Sequence, residues 1–148
     1  MNADCRLTPT VRRARDAAEL RDAFDLRVRV FCDEQGVDPD EELDEHDDEA
    51  VQIIALDESG VIATCRLRSV GNAMKLERMA VEQRFRRLGV GARLMATAED
   101  EARAEGAPEM VLHAQRRAEG FYASCGYVAE GDTFLEAGIE HVAMRKAL

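Results

Sequence analysis

The sequence lacks long apolar runs: no stretch of its 148 residues approaches the ~20 apolar residues that a membrane-spanning helix needs. Residues 1–15 are polar and contain no apolar core of a secretory signal. Internal repeats and low-complexity tracts are also missing. Because 46% of the residues are apolar, we expect a folded core rather than disorder. We therefore predict one domain spanning residues 1–148, soluble, cytoplasmic and without a membrane partner.

Cysteine and histidine are scarce and scattered. The four cysteines, Cys5, Cys32, Cys65 and Cys125, form no C-x-x-C pair, and the chain has only three histidines. This spacing fits no zinc site, and in the cytosol it predicts reduced thiols. We expect no metal site.

Basic residues are absent from one long segment. Residues 30–65 contain thirteen Asp or Glu and no Lys or Arg, and this segment accounts for the net charge of −10. The acid excess argues against a nucleic-acid partner. Two interpretations of its densest part, the acidic segment 38–49, stay open. It is a solvated loop, or it draws a cationic ligand toward a site by electrostatic steering.

The spacing of apolar residues predicts a mixed order of helices and strands. The predicted elements are strands at 10–14, 51–56, 61–70, 75–81 and 110–114, helices at 17–31, 90–105 and 118–125, and two strands within 127–145. Turn residues join the three consecutive strands after the acidic segment into an antiparallel meander. Regular alternation of strand and helix is missing, which predicts a mixed α/β sheet with few helices.

A glycine-containing turn precedes the predicted helix at 90–105. It contains Arg86-Arg87-Leu88-Gly89-Val90-Gly91, flanked by Arg84 and Arg93. The first N–H groups of a helix lack intrahelical partners, the helix dipole adds positive charge, and glycine permits close approach. These features favour a phosphate site. The motif is neither a Walker loop nor the dinucleotide fingerprint, and the alternative is an ordinary turn with solvated arginines.

This turn resembles the acetyl-CoA signature of the GNAT acyltransferase superfamily, [QR]-x-x-G-x-[GA], which Arg86, Gly89 and Gly91 match. Other segments that resemble the family, and its ElaA/YjcF-like branch in particular, are Val30-Phe31, Glu34-Gln35, Leu76 to Val81, Leu112 to Gln115, Phe121-Tyr122, Gly126-Tyr127 and Gly138 to His141. The resemblance covers about residues 27–145. It implies a largely antiparallel central sheet of six to seven strands flanked by helices, in which two strands separate around a CoA thioester.

The resemblance further implies an acetyl-CoA-dependent N-acetyltransferase, in which an amine attacks the thioester directly through a tetrahedral intermediate. The implied CoA-binding residues are Met79, Ala80 and Val81 beside the pantetheine, and Arg86, Arg87, Leu88, Gly89, Val90, Gly91, Ala92 and Arg93 around the phosphates. Acetyl-CoA is the expected co-substrate, with no metal. The expected partner is an amine on a small molecule, peptide or protein, cationic in solution. Homodimers are common among the proteins that the chain resembles.

Tyr122 and Glu77 are the predicted catalytic residues. In the family a tyrosine lies near the CoA sulfur, where its phenol can protonate the leaving thiolate; the alternative is a core tyrosine. Strict strand alternation places Glu77 with Met79 and Val81 among apolar neighbours. That setting would raise its pKa and suit a base, unless a cation lies close. The alternative for Glu77 is a salt bridge with an arginine such as Arg78.

Four more residues are predicted on the acceptor side: Glu34, Gln35, His113 and Gln115. For Glu34 and Gln35 the open roles are substrate contact, loop anchoring and helix capping. His113 is a second possible base, and the alternative is a strand histidine with one nitrogen hydrogen-bonded. Gln115 stands where many family members have asparagine. Two rival functions stay open: a non-catalytic acyl-CoA-binding module, and an acyltransferase for another acceptor, as in acyl-homoserine-lactone synthesis. Acceptor pockets come from variable loops, so the sequence does not name the acceptor.

Overall fold

The computed structural model describes residues 8–148 and places seven strands in one sheet. The strands are β1 (Thr10–Arg13), β2 (Val51–Asp57), β3 (Gly60–Val70), β4 (Ala73–Val81), β5 (Glu109–Gln115), β6 (Val128–Glu136) and β7 (Ile139–Ala147). Their order across the sheet is β1-β2-β3-β4-β5-β7-β6. Only β4 and β5 pair in parallel. The predicted mixed, largely antiparallel sheet is confirmed.

The helices are α1 (Ala17–Arg27), α2 (Pro39–Glu42), α3 (Val90–Ala104) and α4 (Glu119–Ser124). The Asp16 side chain caps α1 by accepting the N–H of Glu19 at 2.9 Å. Beyond its last residue, α1 continues as a π-helical turn over Val28–Glu34. Within residues 8–148, no helix has the length and apolar character to span a bilayer.

The two faces of the sheet carry cores of different size. On one face, Leu67, Leu76 and Leu112 pack with Leu94 and Ala98 of α3 in a large apolar cluster. The other face is covered by α1 and the π-helical turn, from which Leu26 and Val30 pack with Ala80 in a smaller cluster. Burial of apolar area is the main stabilising term in both.

The parallel strands β4 and β5 separate after a short stretch of pairing. Only Met74–Leu76 and Met110–Leu112 are partners; β4 then continues along β3, and β5 along β7. In the described chain, the β5-facing edge of residues 77–81 therefore has no strand partner. A cleft of about 1390 Å³ opens there. This is the separation of two strands that the family resemblance implied.

A β-bulge in β4 changes which face its residues occupy. Arg78 has φ +58°, a left-handed conformation uncommon for a side-chain-bearing residue, and the register with β3 shifts opposite it. Leu76 packs in the larger core, whereas Ala80 packs in the smaller one. Strict alternation, which placed Glu77 on the face of Met79, is wrong because the bulge inserts an extra residue between them.

Candidate active site

The cleft between β4 and β5 gathers most of the residues that the sequence assigned to a site. Its lining includes Gln35, Glu77, Met79, Ala80, Val81, Arg86, Arg87, Leu88, Gly89, Gly91, Ala92, Arg93, His113, Gln115 and Tyr122. Two assigned residues lie elsewhere. Val90 is buried in the larger core, and Glu34 pairs with Arg86 at 2.9 Å.

The main chain of residues 84–93, here called the arginine loop, leaves donors open at the start of α3. The first helical hydrogen bond runs from the N–H of Arg93 to the carbonyl of Gly89, at 3.2 Å. The N–H groups before it have no intrahelical acceptor. Gly89 has φ +86°, and a Cβ there would meet nothing within 4 Å. The loop therefore offers the geometry of an anion site, with open space in front of it.

The side chain of Arg86, the first residue of the signature, anchors the arginine loop. Its Nε donates to the carbonyl of Val81 at 2.8 Å, and its guanidinium pairs with Glu34 at 2.9 Å. The arginine loop is thus tied both to the end of β4 and to the π-helical turn. The prediction that Arg86 also faces a phosphate stays a prediction.

The other three arginines of the loop differ in their availability. Arg84 lies over the ring of Phe85 at 4.8 Å, and Arg93 donates to the carbonyl of Pro9 at 3.1 Å. Arg87 alone makes no ion pair and no side-chain hydrogen bond with any residue from 8 to 148. Since it also lines the cleft, Arg87 is the cation most open to a bound anion.

Gly91 has a packing role that the motif did not reveal. A Cβ on Gly91 would lie 3.1 Å from Cζ of Phe121, so the glycine lets α3 begin directly against α4. The Phe121 ring meets Tyr122 edge-on, with centroids 5.1 Å apart. The Phe-Tyr pair was noticed as a family element, but contact with the signature glycine depends on tertiary packing.

Tyr122 is a buried phenol at the edge of the cleft. It is 7% exposed and packs against Tyr127 with centroids 6.2 Å apart. Burial raises its pKa, and the neighbouring Cys65 and Cys125 add to the shift, so the hydroxyl stays protonated at neutral pH. In residues 8–148 the hydroxyl finds no hydrogen-bond partner, which leaves it available to a ligand.

Glu77 is surrounded by cations. Its Oε1 lies 2.7 Å from Nε of Arg68 and 3.1 Å from Nε of Arg66, and its Oε2 lies 3.3 Å from Nζ of Lys75. Burial alone would raise its pKa, but the three cations lower it to about 2. The rise in pKa does not occur because three cations lie close, which is the exception that the prediction allowed. The alternative for Glu77, a salt bridge with an arginine, is confirmed, but the partners are Arg66 and Arg68 instead of Arg78.

Carboxylates of the acidic segment turn inward onto two fully buried arginines. Arg27 binds Glu42 at 2.8 Å and Asp47 at 2.7 Å, and Arg66 binds Asp44 at 2.7 Å and Asp47 at 3.0 Å. Burial pushes the pKa of Asp47 up, but the two guanidinium groups hold it at about 2. We call these five residues the buried ion network. Neither a solvated loop nor a steering surface describes them.

The rest of the acidic segment remains at the surface. Arg78, at the bulge, donates to the main-chain carbonyl of Glu42 at 2.9 Å and so joins β4 to the buried ion network. Asp40 and Glu41 are exposed, and Glu41 lines the cleft.

The π-helical turn bridges the two halves of the cleft. The amide of Gln115 donates to the side-chain oxygen of Gln35 at 2.7 Å, across from β5. The adjacent Glu34 holds Arg86 of the arginine loop. These contacts support the anchoring interpretation of both residues.

Strands β5, β6 and β7 assemble a histidine cluster. Nδ1 of His113 lies 2.9 Å from Oε1 of Glu136, and Nε2 of His141 lies 3.7 Å from Oε2 of the same carboxylate. Nδ1 of His141 donates to the carbonyl of Ile139 at 2.7 Å. The hydrogen bond from His113 lowers the pKa of Glu136. Sequence reasoning missed Glu136 and His141, because only strand pairing brings them to His113.

The cysteines take no visible part in the cleft. Cys32, Cys65 and Cys125 are free thiols, and burial raises the pKa of Cys65 to about 12. Cys5 lies outside the described residues. In residues 8–148, no three His, Cys, Asp or Glu side chains are grouped as metal ligands would be.

The sequence model of the acetyltransferase (GNAT) domain matches residues 19–148. The chain belongs to the GNAT acetyltransferase family. An uncharacterised N-acetyltransferase, YjcF of Bacillus subtilis (strain 168), is 38% identical over 134 residues, 90% of this chain and 96% of the relative. The crystal structure of Escherichia coli ElaA has a TM-score of 0.83 at 21% identity, covering 94% of this chain and 99% of that one. The assignment to the ElaA/YjcF-like branch is confirmed.

A third relative carries a ligand. It is a candidate streptothricin acetyltransferase from Bacillus anthracis, solved in complex with acetyl coenzyme A. Its TM-score is 0.60 at 28% identity, and the match covers 67% of this chain and 62% of that one.

Proposed function

We propose that this acetyltransferase moves the acetyl group of acetyl-CoA onto an amine by direct attack. One observation carries the proposal: the open N–H groups of the arginine loop and the unpartnered hydroxyl of Tyr122 meet in the same cleft. The acetyl-CoA held by the Bacillus anthracis relative supports acetyl-CoA as the donor.

The donor half of the cleft suits CoA in two ways. The pyrophosphate binds the free N–H groups of residues 88–92, and Arg87 supplies an unpaired positive charge beside them. The pantetheine lies along the unpaired edge of residues 79–81, where main-chain groups can hydrogen-bond its amides. The thioester then reaches the point where β4 and β5 separate.

Acetyl transfer here needs one bond formed and one broken. The neutral amine attacks the thioester carbonyl carbon, and the C–N bond forms in a tetrahedral intermediate. The C–S bond then breaks. The hydroxyl of Tyr122 donates to the departing sulfur and gives it a proton. The amine nitrogen loses one proton to the water of the cleft, and Tyr122 regains one from that water, so protons balance. Direct attack is favoured because burial raises the pKa of both Cys65 and Cys125, which leaves them as unreactive thiols.

The acceptor is an amine on a small molecule, peptide or protein, cationic before it loses its proton. Exposed Glu41 lines the acceptor end of the cleft, and exposed Asp40 precedes it. These two charges support weak steering of a cation.

The test is thiol release from acetyl-CoA with a panel of amines. We expect amine-dependent release by the natural chain. Tyr122→Phe should lower kcat by about 10²–10⁴-fold, since it removes an acid, while the Kd for CoA changes by less than about twofold. Tyr127→Phe is the matched control, because its hydroxyl binds Glu99 at 2.9 Å in the core instead of facing the cleft.

Two outcomes would count against the proposal. Tight CoA binding without thiol release for any amine would favour an acyl-CoA-binding module. Unchanged turnover in Tyr122→Phe would remove Tyr122 as the acid.

A further inference from the structure

His113 stands at the point where β4 and β5 separate. The last partners of the two strands are Leu76 and Leu112, whose side chains both enter the larger core. The next residue on each strand, Glu77 or His113, points to the opposite face. These two side chains therefore flank the place where the proposed function puts the acyl carbon, and the inference below rests on that function.

Of these two side chains, only His113 has a free basic atom. Every oxygen of Glu77 is occupied by a cation within 3.3 Å. Nδ1 of His113 lies 2.9 Å from the Glu136 carboxylate, which can only accept, so Nδ1 carries the hydrogen of this bond and the lone pair of the neutral ring is on Nε2. Within residues 8–148, Nε2 of His113 has no hydrogen-bond partner. The imidazole is 35% exposed, so a substrate in the cleft can reach it.

The surroundings hold Glu136 as a carboxylate. The hydrogen bond from His113 is the main cause of its lowered pKa, and the charges of His141 and Lys75 add to it. Phe134 packs edge-on to the His113 ring, with centroids 4.9 Å apart, and limits its rotation. The ionisable groups that neighbour the pair are thus Lys75 and Glu77 on β4 and His141 on β7.

We propose that His113 is the catalytic base and that Glu136 is its positioning residue. Nε2 of His113 takes one proton from the attacking nitrogen as the C–N bond forms. Glu136 keeps the imidazole oriented through Nδ1 and stabilises the positive charge that the ring then carries. The ring returns its proton to water in the cleft after the C–S bond breaks, so protons balance over one turnover.

Kinetics against pH test both roles. His113→Gln should lower kcat by about 10²–10⁴-fold and remove the acidic limb of the kcat/KM profile, with CoA affinity within about twofold. Glu136→Gln should lower kcat by about tenfold and shift that limb to lower pH, because the carboxylate no longer stabilises the charged ring. Glu140→Gln is the control: this exposed carboxylate lies on the same hairpin outside the cleft lining, and its profile should match the natural chain.

Two further measurements keep the test independent of folding and of the acceptor. Added imidazole should restore part of the turnover of His113→Gly. In NMR titrations, the His113 ring should lose its proton at lower pH in Glu136→Gln than in the natural chain, whether or not any amine is acetylated.

The outcomes separate the two proposals. If no amine is acetylated but the ring titration shifts, the proposed function fails and the His113–Glu136 pair stands. Natural turnover and a natural pH profile in His113→Gln, or an unchanged ring titration in Glu136→Gln, would overturn the inference.

Discussion

Two charged regions line the same cleft and treat arginine in opposite ways. In the buried ion network, Arg27 and Arg66 are inaccessible to solvent. Arg27 binds two carboxylates, and Arg66 binds two within the network and Glu77 beside it. In the arginine loop, the side chains lie at the surface, and Arg87 binds no residue from 8 to 148. An arginine that stabilises the fold is thus recognised by its buried carboxylate partners, whereas an arginine open to a ligand has none.

Desolvation explains the difference. A buried guanidinium is tolerated only when carboxylates and carbonyls accept hydrogen bonds from its N–H groups. The inward-facing acids of the acidic segment are therefore paired with the buried arginines. An exposed guanidinium beside open N–H groups needs no such pairing and stays available to bind an anion. The first region therefore stabilises the fold, and the second is the region where the proposed function places the CoA phosphates.

The largest effect is expected from breaking the network. Arg66→Met should lower the free energy of unfolding by about 3–5 kcal/mol, because Asp44, Asp47 and Glu77 would each lose a buried cationic partner. Arg87→Met, the matched change in the arginine loop, should alter it by less than about 0.5 kcal/mol. Urea denaturation of both variants measures the two changes in the free energy of unfolding. Similar losses of stability in the two variants would contradict the difference between the regions.

CoA affinity should show the reverse order. Arg87→Glu should weaken CoA binding by about 10–100-fold, since it replaces a charge-assisted hydrogen bond worth about 1.5–3 kcal/mol with repulsion. Calorimetric titration measures this. Arg103→Met, an exposed arginine at the far end of α3, is the control and should bind CoA normally. Unchanged affinity in Arg87→Glu would contradict the role of the loop.

Acid should weaken the contribution of the buried ion network to stability. The folded pKa of Asp47 is about 2, below its ordinary value of 3.8, so its stabilising contribution is complete above about pH 4 and is lost as the pH falls toward 2. Asp47→Asn should be less stable at pH 7 and should lose less stability between pH 5 and pH 2. Equal pH dependence in urea denaturation of the two proteins would contradict this.

The smallest effect concerns steering. Asp40→Asn with Glu41→Gln should slow association of a cationic amine by about two- to threefold at low salt, with no effect on a neutral amine. The difference should vanish near 0.15 M salt, where the Debye length is about 8 Å. Stopped-flow association rates measure it. A loss that persists at high salt would show that these acids contact the acceptor directly.

Local patterns predicted the helices and strands well, and they predicted the glycine-containing turn that lines the cleft. The arginine loop lies within a few residues of chain, so its glycines, helix start and charge are all readable from Arg86 to Gly91. The separated strands followed from the family resemblance. These features need little knowledge of distant contacts.

Long-range contacts account for what the sequence did not reveal. The bulge at Arg78 breaks the period of two, and with it the expected surroundings of Glu77. The pairs Arg27–Glu42 and Arg66–Asp44 span 15 and 22 residues, and composition alone cannot tell a paired acid from a solvated one. His113 and Glu136 meet only because β6 and β7 form a hairpin beside β5.

Thermal melting with and without saturating acetyl-CoA tests the central contrast in one measurement. Without ligand, we predict that the melting temperature of Arg66→Met lies well below that of the natural chain. The melting temperature of Arg87→Met should equal that of the natural chain. Acetyl-CoA should raise the melting temperature of Arg87→Met less than that of the natural chain, because stabilisation by a ligand follows its affinity. A full ligand-induced rise in Arg87→Met, together with natural stability in Arg66→Met, would contradict the account.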